Sequence, residues 1–347
     1  MSLNVAVVGV GRWGVNHVRV LSLLQSHLVG RLVVVDSDIS RASQVAKTYH
    51  ADTFYGSVEE LSRREKDLDA VIVVVPTIYH YMVVDKLLDN YDVFVEKPLA
   101  ETIEQGFNLV QKARRLGRVL AVGHIERFNP IVLVSRRMLE QLNGKILSFE
   151  AKRLGPGPAR SYSLNLGVAH DLLVHDLDVS VFLLGNLPSK VYAQTFRTND
   201  FPYEVEVEAV YQYPGGKTAH LIASWRTSPK YKHRSFSVRT EDFILTADYI
   251  LRRINIDNGI DSIDVQKIKT AIHNEVTSIE ISYLQEEPLK LELIDFLESV
   301  STRRKPIVSA LEGYIALKGV VKALESAVKE APVEISWEEL ANIMDTV

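Results

Sequence analysis

Cysteine is absent from the 347 residues, which excludes disulfides, thiolate metal sites and cysteine nucleophiles together and fits a reducing compartment. Excess basic charge is missing too: 40 Lys and Arg stand against 44 Asp and Glu, a formal net charge of -4, so no broad positive field exists for a nucleic-acid backbone or an anionic membrane. No run approaches the roughly 18 to 20 apolar residues of a membrane span. The candidates, such as Val71 to Val75, have the length of strands. The opening MSLNVAVVGVGRWG lacks the basic segment, apolar stretch and small-residue cleavage site of a secretory leader. Internal repeats and low-complexity linkers are lacking as well. These absences lead to the expectation of a soluble, cytoplasmic protein whose partner is a small molecule, with neither nucleic acid nor membrane.

What is present is ordinary globular material, 46% hydrophobic and 24% charged. At this length two domains are expected, because a single core usually stops growing sooner. From Val5 to Gly123 short apolar runs (VAVVG, LVVVD, AVIVVVP, DVFVE, VLAVG) alternate with helical patterns over Trp13 to Gln25, Ser40 to Lys47, His80 to Asp89 and Thr102 to Leu116. Continuous apolar strands are buried on both faces, so residues 1–123 predict a doubly wound parallel sheet of the Rossmann type. Beyond His124 the rhythm changes. A helix over Pro130 to Leu142 precedes strands near 145–153, 191–198, 203–213, 217–227 and 233–247, with a hairpin at Tyr213 to Lys217, and helices over Pro288 to Ser301 and Ser309 to Lys329 follow. Residues 124–347 therefore predict an α+β domain with an open, mostly antiparallel sheet for substrate binding and oligomerisation, whose C-terminal helices can pack back on the first domain.

Gly9-Val10-Gly11-Arg12-Trp13-Gly14 matches G-x-G-x-x-G after a strand and at the opening of a helix. The first glycine permits the tight turn, the second lets a pyrophosphate approach the backbone, and the third lets helix and strand pack closely. Arg12 and Trp13 sit in the same turn, and the helix amides face the phosphates. Asp36 ends the second strand, where a carboxylate can hold both ribose hydroxyls and repel a 2′-phosphate. NAD is thus expected over NADP, although Arg41 lies close enough in sequence to pair with that phosphate. The plainer alternative is a glycine-rich turn without a ligand.

Strand DVFVE ends in Glu96-Lys97-Pro98, at the sheet edge that borders a ligand crevice in open α/β folds. On position alone Lys97 reads equally as a solvated surface lysine. The helix GVAHDLLVHDLDV places Asp171, His175 and Asp178 at i, i+4 and i+7 on one stripe, with Leu173, Leu177 and Leu184 free to face a core. That pattern also suits a solvated His-Asp pair. It lacks the HExxH arrangement of a zinc site, and hydride transfer needs no metal.

In combination, the glycine turn, VVVPTIYH (73–80), VEKPLA (95–100), VGHIERFNP (122–130) and GVAHDLLVHDLDV (167–179) resemble the Gfo/Idh/MocA family of oxidoreductases along the whole chain. The resemblance implies a catalytic Lys97 with Asp171 and His175. It also implies a cofactor site that adds Pro76, Thr77, His80, Glu96 and Lys97 to the glycine turn, Asp36 and Arg41, and a homodimer or homotetramer. In such a reaction a hydride leaves a carbinol carbon and its hydroxyl proton goes to a base. His175 is the expected base, with Lys97 favouring alkoxide charge and Asp171 tuning both; Lys97 and His175 can exchange roles.

Lys152 to Leu154 run into a Pro/Gly loop ending at Arg160, which presents Arg153 and Arg160 as candidate contacts to a substrate phosphate or as solvated arginines. This stretch is similar to the branch that oxidises UDP-N-acetylglucosamine at the sugar 3-hydroxyl, so a nucleotide sugar is the expected substrate, contacted by Lys97, Arg153, Arg160, Asp171 and His175. The alternatives are a free sugar or cyclitol, a redox-assisted glycosidase, and an NAD-binding sensor without turnover.

Overall fold

A computed structural model describes residues 2–25, 27–157, 166–257, 278–280 and 286–344. The chain forms two compact units, Met1–Asn129 with Gln285–Leu317, and Pro130–Leu284 with Lys318–Val347. The first unit thus extends a few residues past the expected division at 123/124 and takes in a late segment, Gln285–Leu317, in keeping with C-terminal helices that pack back on it. Among the described residues no helix is long and apolar enough to cross a membrane.

The first unit holds strands β1 (Leu3–Val8), β2 (Val29–Val35), β3 (Thr53–Tyr55), β4 (Ala70–Val73), β5 (Asp92–Glu96) and β6 (Leu120–Gly123). They form one sheet in the order β3-β2-β1-β4-β5-β6, and every pair is parallel. The apolar runs explain this: β4 and β5 are buried at every residue, which requires cover on both faces. Between the strands lie α1 (Gly14–Leu23), α2 (Ile39–Thr48), α3 (Val58–Arg64), α4 (His80–Leu88) and α5 (Ile103–Leu116). The N-termini of α2, α3 and α5 are capped by side-chain oxygens, Asp38 on the Arg41 amide at 3.1 Å, Ser57 on Glu60 at 3.1 Å and Thr102 on Gln105 at 3.2 Å. Each such cap contributes about 1 kcal/mol.

One further helix, α8 (Pro288–Thr302), belongs to this unit. Its Leu289, Leu293, Phe296, Leu297 and Val300 share a core with Val5, Val7, Leu32, Ile72 and Phe94. Their helical spacing makes one apolar stripe, and each such burial is worth roughly 1.5 to 3 kcal/mol.

The second unit contains α6 (Pro130–Leu142), α7 (Val174–Leu184) and strands β7 (Ile146–Leu154), β8 (Lys190–Arg197), β9 (Glu204–Gln212), β10 (Thr218–Ser224), β11 (His233–Thr240), β12 (Ile244–Asp248), β13 (Arg253–Asp257), β14 (Ser278–Glu280) and β15 (Val333–Glu334). Their order is β14-β13-β12-β11-β7-β10-β9-β8-β15, and β7 with β10 is the one parallel pair among the described strands of this sheet. Strand β9 alternates buried Val207, Ala209 and Tyr211 with outward Glu208, Val210 and Gln212, as a sheet with one covered face requires. The segment expected as one strand over 233–247 is two. Thr240 Oγ1 accepts the amides of Asp242 and Phe243 and turns the chain, a side-chain device that β-propensity does not register.

Candidate active site

At the carboxyl ends of the first sheet, strand order reverses between β1 and β4, and a crevice of about 690 Å³ opens there. The glycine turn forms one wall. Gly9 has φ +89°, and a Cβ on it would come within 2.5 Å of the Val74 carbonyl oxygen. A Cβ on Gly14 would lie 1.9 Å from the Gly9 carbonyl oxygen, whereas one on Gly11 would meet nothing within 4 Å. Two glycines thus permit close backbone packing, and the third leaves open space where a pyrophosphate can approach amides. Val75, Pro76, Tyr79 and Met82 line the opposite wall, and at the rim Lys86 pairs with Glu59 at 2.5 Å.

Asp36 also lines this crevice. Its Oδ2 accepts the Val10 amide at 2.9 Å, and its Oδ1 accepts the Asp38 amide at 2.9 Å and the Arg41 guanidinium at 3.0 Å. The acid is therefore held by the glycine turn itself, ready for ribose hydroxyls, and Arg41 covers it as a partner. Arg12 is exposed and lines a neighbouring groove with Gly11 and Arg41. Thr77 opens the turn Thr77–Tyr79 beside Pro76. Ser57, Glu59, Met82 and Lys86 carry no motif, and Tyr79 lies in VVVPTIYH without being singled out there; their place in the fold makes them part of the crevice.

Lys97 follows directly on β5. The preceding Glu96 has its carboxylate in a buried network: Oε1 accepts Trp13 Nε1 at 2.7 Å and His17 Nε2 at 2.8 Å, while Oε2 accepts the Lys97 amide at 3.2 Å. Burial pushes the Glu96 carboxyl up, but the hydrogen bonds from His17 and Trp13 and the charge of Lys97 prevail and hold it below the ordinary range. Glu96 was expected on the cofactor; its carboxylate is instead spent inside the unit.

His80 requires the same correction. Its Nδ1 lies 2.8 Å from the Pro98 carbonyl oxygen and its Nε2 2.9 Å from that of Val75, with the ring 1% exposed. Neither nitrogen is left for a cofactor. Helix α4 begins at this residue and points the imidazole inward, an orientation that the motif VVVPTIYH does not encode by spacing.

In the second unit the Asp-His helix begins as a π-helix, Ala169–Leu173, and continues as α7. The Ala169 amide is held at 3.0 Å by Glu204, whose carboxyl is pushed up by burial. Asp171 and His175 are half-buried, whereas Asp178 is 1% exposed and leaves the expected solvated stripe. Asp171 sits in the wide π turn, and such turns recur at functional sites. Leu173, Leu177 and Leu184 face the core as expected.

Arg153 lies at a strand end as expected, but it is buried rather than presented to a substrate. It ends inside the unit, where its Nη2 meets Asp176 at 2.8 Å, its Nε meets both carboxylate oxygens at 3.2 Å, and its guanidinium lies 5.0 Å from the Tyr249 ring centre. As the eighth residue of β7 its side chain alternates inward with Phe149 and Ala151. Arg160 lies outside the described residues.

A doubly wound sheet with a glycine turn and an acid at its switch point defines a dinucleotide-binding domain. The family model described as oxidoreductase family, NAD-binding Rossmann fold, matches residues 3–124, and the Gfo/Idh/MocA C-terminal domain matches residues 133–244. The chain belongs to the Gfo/Idh/MocA oxidoreductases, and its cofactor is NAD. It is similar to scyllo-inositol 2-dehydrogenase (NAD(+)) of Bacillus subtilis (strain 168), 27% identical over 95% of both chains. It is also similar to UDP-N-acetylglucosamine 3-dehydrogenase of Acidithiobacillus ferrooxidans, 33% identical over 55% of this chain and 57% of that protein. Its fold matches the WlbA dehydrogenase from Bordetella pertussis in complex with NADH and UDP-GlcNAcA, with TM-score 0.83 and 18% identity over 96% of this chain and 98% of the other.

Proposed function

We propose that this protein oxidises a secondary hydroxyl on a sugar or cyclitol ring, passing the hydride to NAD, with Lys97, Asp171 and His175 handling the proton and the developing charge. The observation that carries the reading is the position of Lys97, immediately after β5 and fixed through its amide to the buried Glu96, at the carboxyl edge that forms the cofactor crevice. Bound NAD supplies a hydride acceptor. The protein supplies the rest: His175 takes the hydroxyl proton, the Lys97 ammonium favours the negative oxygen, and Asp171 tunes the pair. One alcohol and NAD⁺ yield one ketone, NADH and a proton.

The first substrate reading is the 3-hydroxyl of UDP-N-acetylglucosamine, supported by the relative that is 33% identical. A free cyclitol is the second, and the burial of Arg153 against Asp176 favours it, because that arginine is taken from the set available to a phosphate. The protein works as a homo-oligomer of two or four copies, which sedimentation velocity measures.

The test is NADH absorbance with NAD and either UDP-N-acetylglucosamine or scyllo-inositol. Turnover of UDP-N-acetylglucosamine is expected, and turnover of the cyclitol alone overturns the nucleotide-sugar reading. Lys97→Ala and His175→Ala should each lower kcat by about 100-fold or more while NAD binding stays within a factor of a few. Wild-type turnover in either variant removes that residue from the mechanism.

A further inference from the structure

We infer that His17 and Trp13 are positioning residues for Lys97, acting through the carboxylate of Glu96. The inference rests on the assignment of Lys97 to proton and charge handling, and goes beyond it by naming what holds that lysine.

His17 is wholly buried, and Glu96 is 9% exposed. An ionised carboxylate only accepts hydrogen bonds, so His17 donates from Nε2. Its Nδ1 is buried and finds no hydrogen-bond partner among the described residues. A buried polar atom left unsatisfied costs free energy, so a leucine would fill this place at less expense if packing were the only demand. The ring is framed by Trp13, centres 6.1 Å apart and edge-on, and by Phe94 at 5.6 Å. Room for the carboxylate comes from Gly123 on the neighbouring strand, where a Cβ would lie 2.9 Å from Glu96 Oε2.

Both donors come from the glycine turn and the helix it opens. Trp13 is the fifth residue of the motif Gly9 to Gly14, and His17 lies one helical turn further on. One carboxylate oxygen is held by this pair, and the other receives the Lys97 amide. The segment that receives the pyrophosphate and the lysine that meets the substrate hydroxyl therefore share one rigid anchor. Removing the His17 donor frees Glu96 Oε1 from one of its two fixings and loosens the backbone from which Lys97 projects.

The experiment compares His17→Leu, His17→Gln, Trp13→Phe and Lys97→Ala in the NADH assay with UDP-N-acetylglucosamine and scyllo-inositol, alongside NAD titration and thermal unfolding. His17→Leu should lower kcat by about 10- to 100-fold with NAD affinity changed by less than about threefold, the signature of misplacement rather than lost binding. His17→Gln, whose amide can donate to Glu96, should recover most of that loss. Trp13→Phe, at a partly exposed site, should lower kcat in the same direction and serves if His17→Leu does not fold. The inference is overturned if His17→Leu keeps wild-type kcat, if His17→Gln and His17→Leu lose kcat equally, or if Trp13→Phe leaves kcat unchanged. Failure of the underlying reading is separate: Lys97→Ala then retains turnover, or no variant and no wild-type protein reduces NAD with either substrate.

Discussion

The Asp36 carboxylate reaches back to the amide of Val10 at 2.9 Å, tying the end of β2 to the glycine turn. Asp36 therefore shapes the turn, in addition to the ribose contact expected of it. Substituting Asp36→Ser should weaken NAD binding by about tenfold or more, the equivalent of roughly 1.4 kcal/mol. It should also narrow the preference for NAD over NADP, because the repulsion of a 2′-phosphate disappears and Arg41 loses its 3.0 Å partner. Isothermal titration with both nucleotides measures this, and an unchanged ratio of affinities counts against Asp36 as the discriminating group.

Arg153 and Asp176 form an ion pair with each side chain only 2% exposed. Arg153→Met leaves a carboxylate buried without its guanidinium and should destabilise the protein by about 3 to 5 kcal/mol in urea unfolding. The double substitution Arg153→Met with Asp176→Leu should cost clearly less than the two single losses added together. Additive losses would show that the two side chains are energetically independent.

Burial pushes the His80 imidazole below its ordinary value of 6.5, outweighing the opposite pull of the Pro98 and Val75 carbonyls and of Glu96, with Lys97 adding to the downward direction. Folding therefore favours neutral His80. Its contribution to stability is fully present above pH 6.5, diminishes below that, and is lost as pH falls through the depressed folded value. The stability advantage of wild type over His80→Gln should narrow between about pH 7 and pH 5 in thermal unfolding. An advantage that stays constant across that range would mean that His80 titrates alike in the folded and unfolded chain.

Much of the first unit was legible because parallel strands buried on both faces declare themselves as apolar runs, and because a glycine turn has few other reasons to follow one. Local geometry explains the misses. Arg153 reads from the sequence as a strand-end arginine presented to a substrate, but the alternation of β7 turns it inward beside Phe149 and Ala151. His80 and Glu96 sit in motifs that suggest ligand contact, yet the entry angle of α4 and the approach of α1 bring carbonyls, an indole and an imidazole to them first. The π turn at Ala169–Leu173 depends on Glu204, 35 residues away, a contact that no periodicity announces. Where chemistry is carried by residues next to one another in the chain, sequence is a sound guide; where it depends on which side of an element a side chain leaves, the fold decides.

Helix α8 supplies Leu289, Leu293, Phe296, Leu297 and Val300 to the core beneath β1, β2 and β4. That core also holds Val18 and Leu21 of α1 and Val45 of α2, so during synthesis the ribosome has finished all six parallel strands and part of their cover long before the remaining part is made. For the interval needed to translate the intervening unit, the nascent NAD domain carries open the apolar area that α8 will cover. Chaperone demand and premature aggregation in this protein should accordingly track the translation time of its middle, rather than the intrinsic folding rate of either unit.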